Sequence, residues 1–244
     1  MNAKYTLQTF QTDVSLFETI ASFIIDIANK SIAKTGKFTL VLSGGNTPNK
    51  LYTLLASDIF NKKMPWKNTF VFWGDERCVA LDDKLNNAHV AISLLLDKVD
   101  IPTSNIYPVP VNLSPADAAS EYEKQIKNFF GDAIPKFDLI LLGMGDNAHT
   151  ASLFPYTEVI NEKEHLVKEV YVEEQKMFRV TMTAPLINYA HNIAFLVTGK
   201  EKAETLNTVL HASFLPEKYP AQLIKPEDGN LFWFVNAEAA SLLQ

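Results

Sequence analysis

Four short apolar runs in this chain break off abruptly, each in glycine or charge. FTLVL (38–42) ends in SGGNTP, TFVFW (69–73) in GDER, FDLILL (137–142) in GMGDNAH, and IAFLV (193–197) in TGK. Runs with no polar alternation suit strands buried on both faces, as in a parallel sheet covered by helices. Helical periodicity fills the intervals: residues 14–33, a segment opening at Pro48, then 86–97, 115–130 and 200–211. The expectation is an α/β fold, a Rossmann-like three-layer sandwich with a mostly parallel sheet and helices on both faces. Two stretches, LVKEVYV (166–172) and MFRVTMT (177–183), partly alternate and predict more exposed strands, and LFWFV (231–235) predicts the last strand. The proline-containing stretch 214–228 reads as an ordered excursion. No repeat or flexible linker interrupts the pattern, so residues 1–244 are expected to form one domain.

Chemistry excludes several classes. The net charge of −6 and the scattered lysines argue against a nucleic-acid surface. The single cysteine, Cys78, forbids an internal disulfide and fits a reducing compartment. No apolar stretch reaches the roughly 18 residues of a membrane span, and FIIDIA is broken by Asp26. The N-terminal MNAKYTLQTFQTD lacks the charged and apolar regions of a signal peptide. A soluble cytoplasmic protein is expected, with neither membrane nor nucleic acid as partner. Any anion it binds must sit in a local pocket against the overall field, which makes individual cations informative.

Ligands of open parallel sheets bind outside the carboxyl ends of the strands, and all four polar segments fall there. In SGGNTP, Gly44 and Gly45 permit conformations and close approach denied to other residues. Asn46 or Thr47 can cap the following helix, with Pro48 in its first turn. Free N–H groups at that helix end would suit a phosphate, although an ordinary tight turn accounts for the loop alone equally well. The three charges Asp75, Glu76 and Arg77 read by themselves as a solvated rim. Beside a glycine-rich loop, however, the Arg77 fork matches phosphate oxygens. Lys200 opens a helical pattern, where a cation is unfavourable unless an anion compensates. Arg179 lies on a more exposed strand and is the weaker candidate.

His149 follows the third run among small residues: Ala148, Thr150, Ala151 and Ser152. An imidazole titrates at roughly pH 6.5 and can take a proton from water, and a helix N-terminus nearby would bias it to its neutral form. Histidine packing near a helix start is the plainer alternative. GMGDNA fits a dinucleotide pattern loosely, but Pro155 would interrupt the long helix that pattern requires. The remaining histidines lack zinc spacing, and Ser43 and Ser152 lack a nucleophile elbow, so no metal is expected.

Together, LSGGNTP, GDERCV, FDLILLGMGDNAHTASLFP, RVTMTAPLINYA and FLVTGKEKAETL resemble the 6-phosphogluconolactonase family, within the group that includes glucosamine-6-phosphate deaminases and ribose-5-phosphate isomerases. The matching segments run in family order over residues 42–206. The resemblance implies hydrolysis of 6-phosphoglucono-1,5-lactone without a cofactor, by a monomer or small homo-oligomer. It implies that His149 is the general base and that Asp75 lines the pocket and orients polar groups. Ser43, Gly44, Gly45, Asn46, Thr47, Arg77 and Lys200 would hold the phosphate, with Arg179 near the substrate. The chain departs from the family in one place: Asn147-Ala148 stands where Asp-Gly is common. Asn147 can orient a hydroxyl or water but cannot accept a proton. That disfavours the isomerase and deaminase alternatives, which need a carboxylate base; a sugar-phosphate sensor without catalysis is the third reading. Backbone N–H groups of the GMGDNAH loop are candidate oxyanion donors.

Overall fold

The computed structural model describes residues 5–243, so the first four residues of the N-terminal stretch read above lie outside it. Ten strands make two sheets. The larger is formed by β1 (Tyr5–Phe10), β2 (Phe38–Leu42), β3 (Thr69–Trp73), β5 (Ile106–Tyr107), β6 (Leu139–Leu142), β9 (Asn192–Val197) and β10 (Asn230–Asn236). Its order is β1-β10-β9-β6-β2-β3-β5, and every neighbouring pair is parallel. The four polar segments therefore leave one edge of one sheet. The smaller sheet is antiparallel, in the order β4 (Asp75–Arg77), β8 (Met177–Met182), β7 (Val167–Val172).

Among the described residues there are seven α-helices, besides short 3-10 turns: α1 (Asp13–Thr35), α2 (Asn46–Leu55), α3 (Asp58–Asn61), α4 (Asn87–Leu94), α5 (Pro115–Phe130), α6 (Ala184–Asn188) and α7 (Ala203–His211). In α1, Leu16, Ile20, Ile24 and Ala28 recur every fourth residue and are fully buried. Thr12 caps its start by accepting from Ser15 N–H, and Gly36 ends it in the left-handed conformation. Phe23 of α1 meets Phe232 and Phe234 of β10 at 4.8 and 5.2 Å between ring centroids. Phe129 of α5 meets Phe72 of β3 at 5.2 Å. The strand register puts Phe72 and Trp233 on one face and Phe232 and Phe234 on the other. Helices thus cover both faces, as the Rossmann-like three-layer reading requires. No helix among the described residues is long and apolar enough to cross a membrane.

Gly74 joins the two sheets. Its N–H donates to Leu42 O of the large sheet at 2.9 Å, and its carbonyl accepts from Met182 N–H of the small one at 2.8 Å. The chain therefore passes from β3 directly into β4, and the GDER charges enter the interior. Asp75 is 5% exposed and Glu76 0%, which corrects the solvated-rim reading. Glu76 stays ionisable there because its carboxylate accepts from the N–H groups of Arg77, Asn87 and Ala88 at 2.7–2.8 Å; burial still pushes it up to about 7. The expected exposure of the 177–183 strand is also corrected. Four of the six β8 residues are buried, because this strand lies between β4 and β7 over α5.

Candidate active site

Each polar segment is fixed by a specific local cause. A methyl on Gly44 would fall 1.9 Å from Asn87 Oδ1, so only glycine allows β2 to pass this close to α4. Asn87 in turn donates to Asp75 O at 2.9 Å. The Tyr52 hydroxyl clamps the Ser43 backbone, accepting from its N–H at 3.0 Å and donating to its carbonyl at 2.6 Å. Gly45, at φ 116°, is the N-cap of α2 and supplies no side chain. Neither Asn46 nor Thr47 caps the helix, contrary to the sequence reading. Asn46 is exposed in the first turn, and the Thr47 hydroxyl pairs with that of Thr198 at 2.8 Å, tying the β2 and β9 ends together. The first N–H groups of α2 consequently lack a side-chain acceptor.

Arg77 and Arg179 lie directly opposite each other across the β4–β8 pair, an arrangement of like charges that costs stability. Arg179 is 5% exposed, not solvated as expected. Its Nη1 donates to Asp75 Oδ2 and to Ser152 Oγ, both at 3.3 Å, and its Nη2 donates to Gln175. Ser152 Oγ donates to the same Asp75 oxygen at 2.5 Å. Burial and the Arg77 charge both work against the Arg179 cation, with Asp75 opposing them. Arg77 Nη1 donates to Leu85 O at 2.8 Å. The Nε atoms of both arginines are buried without a hydrogen-bond partner, an unmet donor pair on one side of the site.

No helix follows His149; residues 143–157 form an irregular loop, so the expected helix-end bias on its proton is absent. Burial has that effect instead, lowering the imidazole to about 4, with Asp75 opposing and Arg179 reinforcing the shift. The ring is neutral at physiological pH. Phe154 stacks on it at 4.1 Å and 18°, and Arg179 lies 5.3 Å over the Phe154 ring. Asn147 Oδ1 is 2.6 Å from His149 Nδ1, so this side chain turns back on the histidine. The proposed oxyanion donors are partly taken: Gly145 N–H donates to His149 O, Ala148 N–H to Gly145 O, and His149 N–H to Asn147 Oδ1.

The loop is braced from outside. Ala221 N–H donates to Ala148 O at 2.9 Å and Tyr156 N–H to Glu217 O at 3.0 Å, so the 214–228 excursion packs onto it. Ala148, Ala151 and Tyr156 all have φ between 47° and 62°. From α7, Thr205 Oγ1 donates to Asp146 O at 2.7 Å, and Lys202 pairs with the Asp146 carboxylate. Lys200 begins a 3-10 turn rather than an α-helix; it is exposed, and its ammonium has no partner among the described residues. Sequence reading singled out neither Ser152 as the partner of Asp75, nor Asn87, Phe154, Gln175, Thr198 or Lys202. Only HTASLFP, with a serine and a phenylalanine close to the histidine, carried any signal for them.

Gly145 makes the loop sensitive. A methyl there would lie 2.0 Å from His149 Cε1 and 2.1 Å from Nδ1, and its backbone is not in the left-handed region, so the ring must yield. Gly145→Ala is expected to displace the imidazole, and an activity that depends on that ring should fall about 100-fold in kcat, while thermal stability changes little. Steady-state kinetics beside a melting curve checks this.

A cavity of about 550 Å³ bordered by Asn147, Phe154, Tyr171 and Tyr219 lies beside the loop, and another of about 520 Å³ lies across the fold against Trp233. Neither includes His149, Arg77 or Arg179 in its walls. Among the described residues, no three His, Cys, Asp or Glu side chains are grouped to hold a metal.

Comparison with known proteins identifies the family. The family model described as glucosamine-6-phosphate isomerases/6-phosphogluconolactonase matches residues 11–233. A 6-phosphogluconolactonase of Synechocystis sp. is 41% identical over 88% of each chain. One of Nostoc sp. is 38% identical over 98% of this chain and 99% of its own. The structure of 6-phosphogluconolactonase from Trypanosoma cruzi superposes with a TM-score of 0.88 at 28% identity, covering 100% of this chain and 98% of that one. By sequence and by architecture, the chain belongs to the glucosamine-6-phosphate isomerase/6-phosphogluconolactonase family.

Proposed function

We propose that this chain, acting as a single cytoplasmic domain, hydrolyses 6-phosphoglucono-1,5-lactone to 6-phosphogluconate, with His149 as general base. The observation that carries the reading is a buried imidazole biased to its neutral form and subject to the Arg179 charge, with Arg77 directly opposite Arg179 across the β4–β8 pair and both arginine Nε donors buried without partners. His149 takes a proton from water, and the hydroxide oxygen bonds to the lactone carbonyl carbon. The tetrahedral intermediate then collapses by breaking the bond to the ring oxygen, which receives the proton back from the imidazolium. The phosphate, remote from that carbon, is held by Arg77, Lys200 and the uncapped N–H groups of α2. Binding energy at that end positions the carbonyl. Asp75 acts by orienting Arg179 and Ser152. The isomerase and deaminase reading is disfavoured, because the side chain on the histidine is an amide rather than a carboxylate.

The test is hydrolysis of freshly generated lactone, followed through 6-phosphogluconate dehydrogenase against the spontaneous rate. Acceleration supports the reading; binding of 6-phosphogluconate without acceleration replaces it with a sensor. Arg77→Ala is expected to raise KM about 10- to 100-fold, the loss of a charged hydrogen bond, with kcat less affected. An unchanged KM would remove Arg77 from the phosphate site.

A further inference from the structure

We propose that Asn147 is a positioning residue: its side-chain oxygen, shared by two donors of His149, keeps the ring proton on Nδ1 and leaves the Nε2 lone pair open to water. The inference rests on the reading of His149 as base and adds which nitrogen does the work and what holds it.

The assignment follows from hydrogen-bond roles. The same Asn147 oxygen lies 3.2 Å from the His149 backbone nitrogen and 2.6 Å from Nδ1. A backbone N–H can only donate, so the atom facing it must be the amide oxygen and not the amide NH2. That oxygen has no proton to give, so the short contact with Nδ1 requires the proton to be on the imidazole. In a neutral ring, Nε2 is then the unprotonated atom, and it has no hydrogen-bond partner among the described residues. Gly145 closes in on the Nδ1 and Cε1 side, and Phe154 covers one ring face. Rotation of the ring to exchange the two nitrogens is therefore blocked on two sides.

An amide in this place has a second consequence. It accepts the Nδ1 proton without adding charge, so it selects a tautomer without favouring the imidazolium. The charged groups facing the ring are Asp75 of β4, Arg179 of β8, Lys202 ahead of α7 and Asp146 of the loop itself. Two of them favour the cation and two oppose it, and Asp146 is already paired with Lys202. Burial decides the balance in favour of the neutral base. A carboxylate hydrogen-bonded to Nδ1 would upset that balance, because an opposite charge this close favours the protonated ring. Asn147 thus gives the enzyme a base that stays active in mildly acidic conditions.

Three variants and one spectrum test this. In 15N-histidine-labelled protein at pH 7, the His149 signals should show a proton on Nδ1 and none on Nε2. A proton on Nε2 overturns the proposal whatever the activity. Asn147→Asp keeps the acceptor and should move the acid limb of kcat/KM upward by about one to two pH units. Asn147→Ala removes the acceptor and should lower kcat roughly tenfold, the cost of a misdirected base, with KM unchanged; a rise in KM alone would assign Asn147 to substrate binding instead. An acid limb unmoved in Asn147→Asp would also defeat the proposal. Failure of the underlying reading looks different: His149→Ala would keep its turnover while the 15N spectrum still showed the Nδ1–H tautomer.

Discussion

His149→Ala is expected to lower kcat for lactone hydrolysis by about 100- to 10,000-fold, the usual contribution of a positioned general base, and to leave 6-phosphogluconate affinity within a few-fold. The separation follows from geography. His149 sits on the loop after β6, whereas the proposed phosphate contacts come from β4, the α2 N-terminus and Lys200 after β9. Removing the imidazole strips the stacking partner from Phe154 but leaves the Asp75–Arg179–Ser152 bonds in place. Stopped assays with freshly made lactone, paired with calorimetric titration of the product, measure both quantities. Turnover and affinity falling together would mean that the histidine binds rather than reacts.

Arg179→Met should be the most damaging single change to stability, costing about 3–5 kcal/mol, because it leaves Asp75 buried with its charge unpaired. For a chain of this size that corresponds to a drop in Tm of roughly 6–20 °C. Ser152 alone remains on the Asp75 oxygen. Adding Asp75→Asn to the same chain removes the stranded charge and should recover part of the loss. Urea denaturation of the wild type, both single variants and the double variant gives the coupling directly. Additive losses would show that the Arg179–Asp75 pair contributes nothing as a pair.

The fold was legible wherever burial on both faces wrote itself into an unbroken apolar run. FTLVL, TFVFW and FDLILL needed only that reading, and the helix of residues 115–130 needed only its periodicity. Strand β1 was missed because YTLQTF is an edge strand with mixed exposure, and β5 because two residues carry no pattern. β4 was hidden by chemistry. Three charged residues suggest solvent, and only the turn at Gly74 and the N-terminus of α4 reveal why Asp75 and Glu76 can be interior. The same gap affected the site. Residues in a motif were found, but the role of Ser152 comes from a bond to Asp75 on a distant strand, and Asn87 and Gln175 stand outside every motif, so no local pattern singles them out. Arg179 was undervalued for the same reason: its strand alternates, and exposure was inferred where a second sheet provides cover.

Ala148, Ala151 and Tyr156 hold left-handed backbone angles within nine residues, each at a cost of order 1 kcal/mol relative to ordinary conformations. Bonds within the loop, such as Gly145 N–H to His149 O and Leu153 N–H to Thr150 O, offset part of that cost; further bracing comes from Ala221, Glu217 and Thr205, all more than fifty residues downstream. The loop that carries His149 is therefore expected to settle late on the folding path. It must wait for α7 and the 214–228 excursion to dock, long-range contacts whose closure is slow. During refolding, helix and strand content should return before lactone hydrolysis does, and during synthesis the histidine should reach its working place only after the C-terminal fifth of the chain has been made.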